Sequence, residues 1–159
     1  MIRRTSLIAL AASALLAACA TTPTPAPLAE TLAREPQLST FNRLVAQAGL
    51  TDTLRAAGPF TVFAPSDDAF KAVPAKTMEA LVADPAQLKA VLGYHIVEGQ
   101  VTAADVKPGA AKTRQGASVA LAKAGSFVTV DDAVVQQTDI LATNGVAHVV
   151  DRVLMPPKK

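Results

Sequence analysis

Tryptophan is absent from this chain, and tyrosine and cysteine occur once each, as Tyr94 and Cys19. A lone cysteine excludes an intrachain disulfide. Aromatic residues make up 4% of the sequence against 50% hydrophobic overall, so the core must be built from Val, Leu, Ala and a few Phe. At 159 residues, one domain of that composition buries enough surface to stand without staples. An excess of one charge is missing too. The formal net charge of +2 comes wholly from Arg3 and Arg4; without residues 1–18, which hold no Asp or Glu, the 15 Lys and Arg fall to 13 against 13 acidic residues. A neutral body has no field with which to gather nucleic acid, and that partner class is excluded. The apolar run at residues 7–18 is 12 residues long. As a helix it rises about 18 Å, too little for the ~30 Å hydrocarbon core of a bilayer. Phosphate loops, dinucleotide fingerprints and a G-x-S-x-G nucleophile elbow do not occur.

What is present begins with an address. Residues 1–18 have a basic start, a short apolar stretch and small residues before a cut site, the pattern of a secretory signal. Leu16-Ala17-Ala18-Cys19 resembles the lipobox of bacterial lipoproteins. That resemblance implies a diacylglyceryl group on Cys19, cleavage just before it and acylation of the new amino terminus. Three acyl chains anchor firmly where one does not. Ala20, in place of Asp, implies release to the outer membrane, facing periplasm or cell surface. Residues 19–37 then read as a tether: Pro23, Pro25 and Pro27 alternate with small residues, a composition that favours extended, solvated backbone. At ~3.1 Å per residue it would reach about 55 Å.

The folded body is expected over residues 38–157. Phe41, Leu44, Val45 and Ala48 share a helix face, with Ser39 or Thr40 as the cap and Gly49 as the stop. A second short helix closes at Gly58-Pro59, and "FTVFAP" reads as a brief buried strand. Ser66 caps the next turn, with Asp67 and Asp68 at its positive end. Asp84, Pro85 and Gln87 spell a capping box, and Tyr94 to Val97 reads as a strand. After Gly99 the apolar period changes to two, in β-branched runs separated by Gly, Asp or Asn-Gly. A helical half followed by a strand-rich half predicts an α+β fold.

Three ordered segments, "FTVFAPSDDAF" (60–70), "LGYHIVEG" (92–99) and "TDILATNGVAHVVDRVLMP" (138–156), together resemble the fasciclin-like domain. The resemblance implies a wedge of short strands beside a cluster of helices, with the first and last segments on neighbouring core strands. It also implies adhesion or another extracellular protein contact, and no enzymatic activity or cofactor. The family's proposed receptor-binding pairs fall on Tyr94-His95 and Asp139-Ile140. Small-molecule or lipid binding in a groove between helices and strands is the alternative function.

The residues themselves give a plainer reading of the same sites. His148 shares a strand face with Val146 and Val150, while Asp151 points the other way. It is expected to pack, with its ring nitrogens hydrogen-bonded. His95 follows a helix end, where it can bond free carbonyls. Two histidines do not complete a zinc site. Asp67-Asp68 lacks the ligand spacing of a calcium loop, and Asp131-Asp132 reads as a turn pair. Ile140 and Leu141, before an Asn144-Gly145 turn, are either core contacts or partner anchors.

Overall fold

The computed structural model describes residues 24–157; the signal at 1–18 and Cys19 lie outside the described residues. In chain order the elements are α1 (Leu28–Ala33), a 3-10 turn (Pro36–Leu38), α2 (Ser39–Gln47), α3 (Thr51–Arg55), β1 (Phe60–Pro65), α4 (Asp67–Lys71), α5 (Ala75–Ala83), α6 (Pro85–Tyr94), β2 (Ile96–Glu98), β3 (Gly109–Lys112), β4 (Ser118–Ala124), β5 (Phe127–Val130), β6 (Ala133–Ala142) and β7 (Gly145–Val150). Apart from β1, which stands between α3 and α4, the helices come first and the strands after, and the fold is α+β.

Strands β1 and β7 are apolar without alternation, and every residue of both is buried. Such strands need cover on two faces, and they pair in parallel as the second and third strands from the β2 edge. The seven strands run β2-β1-β7-β6-β5-β4-β3, and every other pair is antiparallel. Register shifts in β6, at Val135/Gln137 and Gln137/Ile140, bend that strand from one half of the sheet into the other. A bridge between Val97 and Thr113 and the Arg114 N–H to the Ile96 carbonyl (2.8 Å) then bring the far edge back towards β2.

Curling divides the interior in two. On one face of β1 and β7, Phe60, Val62, Ala64, Ala147 and Val149 meet Leu28, Leu32, Phe41, Leu44, Leu88 and Leu92 of the helices. Inside the curl, Phe63 and Val150 meet Val119, Leu121, Val128 and Val130. The strand period of two sends alternate residues of β1 into different cores.

Four expectations change. The spacer predicted to run through residue 37 ends earlier, because Leu28 and Leu32 are fully buried against the sheet. Ser39 does not cap α2. Asp67, 28 residues downstream, does so instead, accepting the Ser39 hydroxyl (2.7 Å) and the Thr40 N–H (2.8 Å). Burial pulls the Asp67 carboxyl upward, but these bonds outweigh it and hold it below the ordinary range. Asp84 does cap α6, through Ala86 N–H (2.9 Å) and Gln87 N–H (3.2 Å). The return half of a capping box has no free donor, since the Asp84 N–H already bonds the Ala80 carbonyl. Finally, Tyr94 ends α6 and the following strand begins only at Ile96.

Candidate functional site

Both histidines sit where the two cores are sewn to the outer segments. The helix α6 tightens at its end, so the His95 N–H bonds the Leu92 carbonyl and the Val91 carbonyl loses its backbone donor. The His95 ring fills that place: Nδ1–H donates to the Val91 carbonyl at 2.7 Å. Nε2 accepts the Leu154 N–H at 3.0 Å, tying the chain after β7 to the helix. The ring is wholly buried, and burial pushes its pKa down to about 4. His148 is the mirror case. Its Nε2–H donates to the Val101 carbonyl (2.8 Å), Nδ1 accepts the Asp139 N–H (3.2 Å), and its face stacks on Phe63 at 5.4 Å. Burial lowers this pKa too, against the opposing pull of the Val101 bond and the Asp139 charge.

The loop after Gly99 is held by one polar chain. Thr61 donates its hydroxyl to the Gly99 carbonyl (2.7 Å) and accepts the Val101 N–H (2.8 Å). Asp139, at φ +58°, accepts the Ala103 N–H at 2.9 Å. Its neighbour Ile140 is half-buried against the helical core. The Asp139-Ile140 pair therefore clamps a loop and seats a core side chain; the exposed apolar residue beside it is Leu141, at 66%.

The resemblance implies partner contacts at Tyr94 and His95; the fold buries the His95 ring wholly and most of Tyr94, whose side chain lines a cleft beside Asp131 and Asp132. The Tyr94 hydroxyl donates to Asp131 Oδ2 at 2.8 Å and lies 3.2 Å from the Ser118 carbonyl oxygen. Burial, then the Asp131 bond, pushes this phenol up to about 12. Asp131 is more than a turn residue: at φ +49° it also accepts the Ala120 N–H at 2.7 Å. Replacing Tyr94 with Phe is expected to cost about 1.5–3 kcal/mol, the value of one bond to a charged acceptor. A melting curve several degrees lower, with an unchanged far-UV spectrum, is the expected readout.

The sequence marks Asn144 only as part of an Asn144-Gly145 turn, and not as a tie between elements. The hairpin turn is Thr143-Asn144, since Ala142 already pairs with Gly145. The Asn144 side chain accepts the Leu28 N–H (2.8 Å) and donates to the carbonyls of Leu54 (2.8 Å) and Ala56 (2.7 Å). One amide thus joins α1, α3 and the β6–β7 turn, and only the Asn-Gly dipeptide marked the position in the sequence.

All four ring nitrogens are taken by backbone groups, and among the described residues neither imidazole is hydrogen-bonded to a nucleophile. Among the described residues no group of three or more His, Cys, Asp or Glu is placed to hold a metal ion. No helix among them is long and apolar enough to cross a membrane. An apolar cleft of about 550 Å³ lies between α5, α6 and the terminal segment, with Leu81, Val91 and Met155 in its wall.

The family profile described as Fasciclin domain matches residues 36–156, and the chain belongs to that family. It is similar to Protein sll1483 of Synechocystis sp., 43% identical over 123 residues that cover 74% of this chain and 68% of that protein. Immunogenic protein MPB70 of Mycobacterium bovis is 37% identical over 136 residues, covering 82% and 69%. Human periostin is 34% identical over 132 residues, which make up 81% of this chain and 16% of periostin. Among solved structures, a FAS1 domain pair from the insect cell adhesion molecule Fasciclin I superposes with a TM-score of 0.68. Its identity is 18%, over 82% of this chain and 51% of that one, a likeness of fold.

Proposed function

We propose that this protein is a lipid-anchored, non-enzymatic interaction module of a bacterial cell envelope, acting in adhesion or envelope protein contact. One observation carries the non-enzymatic part. Both imidazoles, the residues best suited to acid–base work near neutral pH, are spent on backbone groups and held neutral by burial. Membership of the fasciclin family supports the adhesion reading. The lipobox-like run ending in Cys19 supports the anchor.

Phe127 is the exposed aromatic best placed to meet a protein partner. It stands 67% exposed on the β4–β5 hairpin, paired with Ala124. Buried aromatic anchors dominate protein interfaces. Phe127→Ser is expected to weaken recovery of the cross-linked partner from intact cells several-fold while leaving the melting temperature unchanged. Equal recovery would remove this hairpin from the contact. Cys19→Ala is expected to move the protein from the membrane fraction to the soluble one; retention in the membrane refutes the anchor.

The cleft walled by Leu81, Val91 and Met155 favours a second reading, small-molecule or lipid binding. A bound lipid co-purifying in place of a protein partner would establish it.

A further inference from the structure

The tether is far shorter than its composition suggests, and this fixes which face of the domain meets the membrane. Residues 24–28 are fastened to the body at four points. Arg34 Nη1 donates to the Thr24 carbonyl (2.9 Å), and the Ala26 carbonyl accepts the Thr143 N–H (2.9 Å) and the Thr31 hydroxyl (3.0 Å). The Leu28 N–H bonds the Asn144 side chain at 2.8 Å. Only residues 20–23 stand between Cys19 and the first fastened residue.

Five Cα steps span at most about 18 Å. A globule of this size has a radius of gyration of about 14 Å and so a diameter well above that reach. A 55 Å leash would let the body turn any side to the bilayer, but one of 18 Å cannot pass around it. The Thr24 pole must stay near the lipid. At that pole lies a cleft of about 390 Å³ lined by Thr24, Pro25, Arg34, Thr138, Ile140 and Leu141. Leu141 is among the most exposed large apolar side chains of the described residues.

We propose that this pole, with Leu141 at its centre, lies against the headgroup–acyl boundary of the membrane that holds Cys19. The inference rests on the lipid anchor proposed above. Arg34 shares the cleft with Glu35 and Asp139, so the seat has no excess positive charge and does not depend on anionic lipid. Apolar contact and the short leash hold it. The Asp139-Ile140 segment then faces lipid, and the opposite end of β6 faces away from it.

The test uses the full chain purified from membranes and reconstituted in zwitterionic phosphatidylcholine vesicles that carry an acyl-chain nitroxide quencher. Acylation occupies the native thiol, so a fluorophore reacts only with an introduced cysteine. Leu141→Cys and Thr138→Cys place it at the proposed seat. Asp132→Cys places it at an exposed turn before the other end of β6. Quenching several-fold stronger at 138 and 141 than at 132 is expected, and weakly affected by salt. Equal quenching at the three positions, in protein whose mass shows the acylated Cys19, overturns the membrane-facing pole and leaves the anchor standing. A mass without acyl chains overturns the anchor, and the pole with it.

Discussion

Alanine at position 145 is expected to cost about 3 kcal/mol or more, at or beyond the upper end of overpacking penalties. Gly145 opens β7 where that strand lies in parallel against Phe60 of β1. A Cβ there would run into the Phe60 carbonyl oxygen, and the Leu28 side chain would stand 3.0 Å away. Leu28 alone could rotate; a carbonyl inside a sheet cannot. Moving β7 to make room pulls on Asn144 next to it. That side chain ties α1 and α3 to the turn, and its backbone carbonyl accepts the Phe60 N–H at 3.1 Å. Domains of this kind are held by only about 5–15 kcal/mol, so Gly145→Ala should be recovered in low soluble yield with a strongly depressed melting temperature. A melting point matching the native one would show that the β1–β7 contact is looser than described.

The same substitution at Gly93 should act in the opposite sense. Gly93 lies in the last turn of α6, and a Cβ there meets Gln115 Cβ at 3.5 Å, an ordinary contact. Alanine there removes the helix penalty of glycine and should stabilise by about 0.5–1 kcal/mol.

The contrast between these two glycines indicates how far the sequence can be read. Both stand in recognisable segments, "LGYHIVEG" and "NGVAHVV", and the elements around them are local in origin. Unbroken apolar runs give β1 and β7, Ser66 and Asp84 mark helix starts, and the two-residue period gives β4 to β6. His148 could be assigned to a core face because a strand has a period of two, whatever it packs against. Contacts made across the chain left no local mark. Helix α1 is six residues long and follows alternating prolines; alone it would not form. It exists because Leu28 and Leu32 find the sheet and because Asn144, 116 residues away, accepts the Leu28 N–H. Asp67 capping α2 is non-local in the same way, as is Tyr94 reaching Asp131. The candidate contact pairs were placed by resemblance, and burial separates them: Tyr94 and His95 are inside, whereas the Asp139-Ile140 segment stays at the surface.

His95→Phe is expected to destabilise the protein at pH 7 by about 3 kcal/mol, because two buried backbone groups lose their partners at once. The Leu154 N–H loses its acceptor and the Val91 carbonyl loses the ring donor, while phenylalanine fills the volume beside Phe41. The deficit should itself depend on pH. An unfolded histidine titrates near 6.5, whereas the buried His95 ring holds out to about 4. Between those values the unfolded chain binds a proton that the folded chain refuses, so the native protein loses stability as pH falls from 6.5 towards 4. Neutral His95 contributes fully above 6.5, and the loss across the window is on the order of 3 kcal/mol. The Phe variant lacks this proton. Its stability should fall less over the same range; the residual slope comes from His148 and, near pH 4, from Asp67, whose pKa values are also lowered in the folded state. Urea midpoints measured for both proteins at pH 7, 5.5 and 4 should therefore converge as the medium becomes acid. A gap that stays constant would mean the folded His95 ring takes up its proton as readily as the unfolded one, and so is charged in the folded state once the pH is below about 6.5. It could then no longer accept the Leu154 N–H that joins the chain after β7 to α6.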